Sequence, residues 1–174
     1  MRETIVKVYQ FSELTEKAKQ FAKDRSAEIF GYNWSDDAIE SLTKLAEHFS
    51  GKLKDYSVDF FASSYSYAKF DMPEFEYEWS LKALVDELGS YNAETLRGDG
   101  DCVLTGFCGD EDAIDGLRKA WHAGERDLNA LLQAAFKTWL EAAQADCRGQ
   151  YEDEQFSEHC EANSYEFYED GSMV

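Results

Sequence analysis

The aspartates around one glycine-containing loop are the residues whose spacing comes closest to a chemical site. Gly98-Asp99-Gly100-Asp101 is followed, nine residues later, by Asp110 and then Asp112. Clustered carboxylates suit hard cations such as Ca²⁺ or Mg²⁺, but this spacing does not match an EF-hand loop. The loop also lacks the Lys-Ser/Thr pair of a phosphate-binding loop, and its carboxylates would repel an anion. These residues leave a divalent cation site open without favouring one, and no cofactor is expected.

The four cysteines predict free thiols rather than a metal site or a disulfide framework. They are Cys102, Cys108, Cys147 and Cys160. Zinc sites usually contain cysteines two to four residues apart, and no such pair exists, even with His159 nearby. If residues 102–108 form a strand, six steps of about 3.3 Å place the first two sulfurs roughly 20 Å apart, too far for a bridge. Since no apolar signal segment is evident, we expect reduced thiols and a cytoplasmic location.

The histidines do not indicate a catalytic site. There are three, His48, His122 and His159, and each lies on a predicted helix among charged residues. Nucleophilic catalysis needs a serine or cysteine beside a histidine that an acid orients, and the sequence contains no G-x-S-x-G motif. The acidic residues could supply a carboxylate pair for glycoside hydrolysis, but nothing singles out one pair. We therefore expect a protein that is not an enzyme and has no catalytic residues.

The acidic residues are concentrated in two segments of the chain. The 174 residues include 36 Asp or Glu against 17 Lys or Arg, for a formal net charge of −19. Residues 71–115 hold 13 acidic residues against Lys82 and Arg97, and residues 149–174 hold eight acidic residues and no lysine or arginine. The rest of the chain is close to neutral. Because protein surfaces normally mix both signs, this segregation predicts an electronegative face if the two segments meet in space.

The net charge limits the classes of partner. A nucleic-acid-binding protein needs a basic surface, and an anionic membrane would repel this chain, so neither is expected. A folded chain of this length is roughly 40 Å across, and duplex DNA of that length carries about 24 charges. The 19 net negative charges are therefore of the right order to imitate a short duplex, whereas the simpler alternative is a surface that serves solubility alone. The carboxylates predicted to bind a partner are Glu74, Glu76, Glu78, Asp99, Asp101, Asp110, Glu111, Asp112, Glu152, Asp153 and Glu154.

Hydrophobic periodicity predicts the elements that position these residues in the first half of the chain. Residues 4–11 are expected to form a strand, and a helix capped by Thr15 runs to about residue 29. A second helix starts at Ser35 and stops at Gly51. Residues 52–79 alternate as an antiparallel meander. In its last strand Phe75, Tyr77 and Trp79 face inward, and Glu74, Glu76 and Glu78 form an outward row.

The second half of the chain is predicted to be mainly helical. Helices are expected at residues 81–88, 111–122, 126–147 and 152–162, and strands at residues 102–108 and 165–168. Because strands and helices do not alternate regularly, the predicted fold class is α+β, with a mostly antiparallel sheet packed with several amphipathic helices. The length and the absence of a linker predict one domain over residues 1–174.

Three stretches resemble a diverse family of small phage and prophage proteins. Residues 8–15, VYQFSELT, with Ala18, Lys19 and Ala22, are similar to that family's V-Y-x-F-x-E-L-[ST] opening and the start of its first helix. Residues 161–171, EANSYEFYEDG, resemble its E-A-N-x-Y-x-F-x-x-D-G close. Between them, residues 98–102 and 105–107 are similar to its G-D-G loop and the strand that follows. The motifs are turns and strand edges, and the family is uncharacterised or labelled antitoxin-like.

The resemblance to phage proteins implies a use for the acidic segments. Phages make small, very acidic, non-catalytic proteins that occupy the DNA-binding clefts of host defence nucleases. The leading hypothesis is therefore an inhibitor of a host defence nuclease complex, of the anti-CRISPR or anti-restriction type, that acts in the host cytoplasm as a DNA mimic. Its partner would be a host defence protein with a basic nucleic-acid-binding cleft, and it would bind no nucleic acid itself. The alternatives are an antitoxin-like protein that neutralises one toxin through a specific apolar interface, and a structural or host-takeover protein.

Overall fold

The computed structural model describes residues 7–61, 65–75, 78–89, 104–105 and 109–174. These residues form six α-helices and one two-stranded antiparallel sheet, so the predicted α+β class is confirmed, with a sheet smaller than expected. The chain divides into two compact units. Unit 1 is Met1–Asn33 with Asp146–Val174, and unit 2 is Trp34–Ala145. One domain can contain two such units, so the single domain over residues 1–174 stays a prediction.

Unit 1 is built on two helices and a small aromatic core. Helix α1 (Glu16–Phe30) begins as predicted, because the Thr15 side chain accepts a hydrogen bond from Ala18 N at its first turn. The last helix of the chain is Asp153–Ala162, which is α6 in chain order. A 3₁₀ turn at Phe11–Glu13 precedes α1. The buried side chains at the centre of the unit are Phe11, Leu14, Ala18, Ala22, Phe156, Cys160 and Phe167.

The two ends of unit 1 pair through one residue each rather than through full strands. Tyr9 N donates to Phe167 O at 2.8 Å, and Phe167 N donates to Tyr9 O at 2.9 Å. Within the described residues, the strands predicted at residues 4–11 and 165–168 are therefore reduced to isolated bridges, and residues 1–6 lie outside the description. The reason is local: the 3₁₀ turn begins at Phe11, and a turn at Gly171 follows Tyr168, so neither segment continues as a strand beyond these positions.

Unit 2 begins with α2 (Ser35–His48), which packs against a later helix and the sheet. The helix ends in a Schellman motif, in which Ser50 N donates to Glu47 O and Gly51 N donates to Ala46 O. The left-handed residue of this motif is Ser50, with φ of 60°, one position before the predicted Gly51. Strands β1 (Lys52–Ser57) and β2 (Tyr67–Asp71) then pair antiparallel, with an irregularity between Leu53 and Asp55.

The third strand predicted for residues 74–79 is wrong. Residues 72–75 are irregular, and helix α3 (Glu78–Gly89) has already begun at Glu78. The physical reason is the spacing of Leu81, Val85 and Leu88, which are buried on one helical face. Burial of that face outweighs the short alternation before it. Glu74 therefore lies in an irregular segment and Glu78 in α3, so these two do not share a strand as expected, while Glu76 lies outside the described residues.

Two longer helices complete the fold. Helix α4 (Gly109–His122) packs against α2 and α3, and α5 (Leu128–Gln150) contributes Leu131, Leu132 and Trp139 to the core of unit 2. Helices predicted at residues 81–88, 111–122, 126–147 and 152–162 are thereby confirmed. The division between the units falls inside α5, after Ala145. No helix in the described part of the chain has the length and apolarity needed to cross a lipid bilayer.

Two of the four cysteines lie in the described part of the chain. Cys147 and Cys160 are reduced and fully buried, as expected for these two residues. Burial raises the pKa of the Cys160 thiol to about 11, so this side chain stays protonated at neutral pH and acts as a small apolar group. Cys102 and Cys108 lie outside the described residues, as does most of the strand predicted at 102–108.

Candidate partner-binding surface

The predicted partner-binding carboxylates fall into three sets. Glu76, Asp99 and Asp101 lie outside the described residues. Glu74, Glu78, Asp110, Glu111 and Asp112 belong to unit 2, and Glu152, Asp153 and Glu154 belong to unit 1. A single face that combines both acidic segments stays a prediction, because its carboxylates belong to two different units.

Glu78 is held in an ion pair within unit 2. Arg126 Nε donates to Glu78 Oε1 at 2.9 Å, and the Arg126 guanidinium lies over the Trp121 ring at 3.9 Å from its centroid. The same guanidinium donates to the backbone oxygen of Trp121. Glu74 is exposed in the segment after β2 and lines the same open groove as Glu78. Of these two carboxylates, Glu74 is the one with no charge partner among the described residues.

Asp110 is not a surface residue, which corrects its predicted role. Its side chain is 2% exposed, and its carboxylate accepts hydrogen bonds from Thr105 N at 2.8 Å and from Thr105 Oγ1 at 2.9 Å. Thr105 Oγ1 also lies 3.4 Å from Ser41 Oγ on α2. Asp110 sits in the first turn of α4, where a carboxylate complements the positive end of the helix dipole. Its function is therefore to anchor the start of α4.

Glu111 and Asp112 follow Asp110 in the first turn of α4 but differ in exposure. Glu111 is exposed, whereas Asp112 is half-buried. Desolvation, together with the charges of Glu111 and Asp115, raises the pKa of the Asp112 carboxyl. Asp115 is paired with Lys119 at 2.5 Å. This turn thus offers one fully exposed carboxylate, on Glu111, to a partner.

Asp153 is neutralised within unit 1. Lys23 Nζ on α1 lies 2.6 Å from Asp153 Oδ1, and Lys19 Nζ lies 3.9 Å from Asp153 Oδ2. The hydrogen bond from Lys23 lowers the pKa of the Asp153 carboxyl. This carboxylate therefore links α6 to α1, and most of its charge is compensated inside the protein.

Glu152 and Glu154 remain available on the surface of unit 1. Both are exposed, and neither has an ion pair with the described residues. Glu154 is also the first residue of a row of glutamates along α6 that continues with Glu158 and Glu161. This row was not predicted from the sequence. All three are exposed. Their i, i+4, i+7 spacing is the signal that could have revealed it, since such residues share one helical face.

We call Glu154, Glu158 and Glu161 the α6 acidic stripe. The helical rise places their backbones about 6 Å and about 4.5 Å apart along the axis. Ser157 Oγ donates to Glu161 Oε1 at 3.4 Å, and none of the three carboxylates has a lysine or arginine partner among the described residues. Like charges at these spacings repel one another, so a cationic partner would relieve that repulsion.

The chemistry that this surface can perform is binding of cations through charge-assisted hydrogen bonds. In the described part of the chain, no three His, Cys, Asp or Glu side chains are grouped closely enough to hold a metal ion.

The comparison with known proteins identifies no relative, since no protein family, no curated protein and no solved structure matches this chain.

Proposed function

We propose that this protein is a non-catalytic, phage-encoded inhibitor of a host defence nuclease complex. It binds the basic nucleic-acid-binding cleft of its target through exposed carboxylates that take the place of DNA phosphates. The observation that carries the proposal is the α6 acidic stripe, which lies in a segment of 26 residues, 149–174, without one lysine or arginine. The family resemblance supplies the phage context.

The spacing of the stripe supports its use in place of phosphates. Glu154 and Glu158 are about 6 Å apart along the helix axis, close to two axial steps of about 3.4 Å per phosphate on one DNA strand. Glu152 precedes the stripe and is exposed as well. Arginine and lysine side chains that contact phosphates can bind carboxylates by the same charge-assisted hydrogen bonds.

Only some of the predicted carboxylates of unit 2 are available to a partner. Glu74 and Glu111 are exposed, whereas Asp110 is buried and Glu78 is paired with Arg126. The number of carboxylates available for binding is therefore smaller than the charge count alone indicates. In unit 1 the proposed binding set consists of Glu152 and the α6 acidic stripe.

The magnitude of the expected effect follows from exposed ion pairs. Such pairs contribute roughly 0.2–1 kcal/mol each, so three of them amount to about a three- to hundredfold change in affinity. Opposite charges on the two partners also speed association at low salt, and this advantage falls as salt screens the charges. An inhibitor of this kind should therefore bind more weakly as the salt concentration rises.

The test compares two triple variants of equal charge. In the first, Glu154→Gln, Glu158→Gln and Glu161→Gln neutralise the stripe. In the matched control, Glu16→Gln, Asp24→Asn and Glu28→Gln neutralise three exposed residues of α1 in the same unit. Each immobilised protein is used to capture partners from host lysate at low salt, and the captured proteins are challenged with duplex DNA.

The proposal predicts that the wild type and the α1 variant retain a nuclease component that DNA releases, and that the stripe variant loses it. Equal retention by both variants, or a partner that DNA does not release, would contradict the proposal.

A second candidate function, an antitoxin-like protein, is favoured by exposed aromatic residues near the connection of β1 and β2. Tyr56, Phe61, Tyr65 and Tyr67 are all exposed, and Tyr65 is 80% exposed. Large apolar side chains that are exposed often mark protein interfaces. A partner that binds here would depend weakly on salt and would be lost when Tyr65 and Tyr67 are replaced by serine, while neutralising the α6 acidic stripe would leave it bound.

A further inference from the structure

A solvent-open pocket in unit 1 carries an inference about the chemistry of the partner. It lies between the end of α1, the end of α5 and the inner face of α6. Its volume is about 100 Å³, which has room for a planar group of four heavy atoms. Every residue around it belongs to unit 1.

Aromatic rings form the apolar part of this pocket. Phe30, Tyr151 and Phe156 line it, together with His159. Tyr151 and Phe156 stack at 5.7 Å between ring centroids, and the Tyr151 hydroxyl donates to Gly31 O at 2.9 Å. These contacts fix the rings in place. A rigid ring wall of this kind accepts a flat group by stacking.

The polar part of the pocket consists of side-chain amides. Asn33, Gln150 and Gln155 line it. Gln150 Nε2 donates to Asp146 Oδ2 at 3.2 Å, which orients the amide, and Gln150 Oε1 is buried with no hydrogen-bond partner among the described residues. The amides of Asn33 and Gln155 are exposed, so their oxygens can accept hydrogen bonds from a ligand that brings N–H donors.

The charges around the pocket favour a cation. On α6, Gln155 stands three residues after Glu152 and three residues before Glu158, so both carboxylates are its neighbours on the helix surface. Among the described residues that line the pocket there is no lysine or arginine. The two lysines that reach α6 from α1, Lys19 and Lys23, are paired with Asp153.

We propose that this pocket binds the guanidinium group of an arginine side chain on the protein partner. A guanidinium is planar and positively charged, stacks on aromatic faces, and presents five N–H donors to amide and carboxylate oxygens. An ammonium group lacks the flat surface, and a neutral amide lacks the charge. This inference rests on the proposed function, because it makes the pocket an arginine-recognition point beside the α6 acidic stripe.

The direct test uses N-acetyl-arginine amide as the probe. The labelled 174-residue protein is titrated at constant ionic strength, and NMR signals of the Gln150 side-chain amide and of the Phe30 and His159 rings are followed. The controls are the citrulline analogue, which has the same shape without the charge, and N-acetyl-lysine amide. We expect saturable shifts at these residues with a dissociation constant near 1 mM, and at least tenfold weaker binding of both controls.

Two variants of equal charge locate the site. Gln155→Lys places a cation at the mouth of the pocket, whereas Gln20→Lys places the same charge on exposed α1, where it can still pair with Asp24 at i+4. The first should weaken probe binding at least tenfold, and the second should leave it unchanged. Equal probe binding by both variants, or equal shifts with arginine and citrulline, overturns the inference.

The same variants separate this inference from the proposed function. If the probe does not bind but DNA still releases the captured partner, the pocket inference is wrong and the inhibitor proposal stands. If the probe binds at the pocket but DNA does not release the partner, the inhibitor proposal is wrong and the pocket remains a guanidinium site.

Discussion

Lys23 Nζ lies 2.6 Å from Asp153 Oδ1, although 130 positions separate the two residues in the sequence. This contact joins α1 to α6 in unit 1, and it compensates one carboxylate in the acidic run Glu152–Asp153–Glu154. The flanking glutamates are exposed. One short run of acidic residues therefore contains both a structural carboxylate and two that are available to a partner.

Removing the Asp153 carboxylate should cost stability in a pH-dependent way. We expect Asp153→Asn to lower the free energy of unfolding at pH 7 by less than about 1 kcal/mol, as for other exposed ion pairs. The pKa of Asp153 is lowered below its ordinary value of 3.8 in the folded protein. The stabilisation is therefore present above pH 3.8 and is lost as the pH falls through the lower, folded-state pKa.

Urea denaturation of the wild type and Asp153→Asn at pH 7 and in acid measures this difference. Glu154→Gln, next in sequence and without a cation partner among the described residues, is the control and should not lose stability. A difference between wild type and Asp153→Asn that persists unchanged in strong acid would show that the ion pair is not its source.

Asp110 should matter for folding rather than for binding. Asp110→Ala removes the carboxylate that accepts two hydrogen bonds from the half-buried Thr105, which we expect to cost about 1–3 kcal/mol of unfolding free energy. Glu111→Gln, one residue later and exposed, should change it by less than about 0.5 kcal/mol. Chemical denaturation of both variants checks this. If Asp110→Ala were as stable as the wild type, the anchoring role of Asp110 would be wrong.

A close backbone approach makes Gly171 sensitive to substitution. A Cβ at position 171 would lie 2.1 Å from Ala18 O, and the residue has φ of 90°. Gly124 has φ of 101° and open space around it. Gly124→Ala should therefore cost only the free energy of placing an alanine at positive φ, about 1–3 kcal/mol. Gly171→Ala should destabilise unit 1 by more than Gly124→Ala, because its methyl group displaces α1 as well. Thermal unfolding of both variants tests this, and equal melting temperatures would contradict it.

The helices could be predicted from sequence mainly because their apolar residues recur with the helical period. Thr15 caps α1 as expected, and Leu131, Leu132 and Trp139 are buried along α5. The meander failed at residues 74–79 because six alternating residues are too few to distinguish a strand from the start of a helix. There the buried spacing of Leu81, Val85 and Leu88 decides the structure.

The candidate site could be predicted only in part, because charge counting does not reveal partners. Nothing local to Asp110 or Glu78 indicates that the first is buried against Thr105 or that the second pairs with Arg126, 48 positions away. The α6 acidic stripe could have been predicted from the sequence, since Glu154, Glu158 and Glu161 follow the helical period. A count of charges by segment does not distinguish these three glutamates from the other acidic residues of the segment.

The central claim is that the carboxylates of this protein occupy the site where its partner binds DNA. The most direct measurement is the apparent dissociation constant of the captured partner for labelled duplex DNA at increasing concentrations of this protein. We expect the constant to rise in proportion to the inhibitor concentration, without a plateau, and we expect neutralisation of the α6 acidic stripe to shift this rise to about three- to hundredfold higher inhibitor concentration. A ternary complex of partner, inhibitor and DNA with unchanged DNA affinity would contradict it.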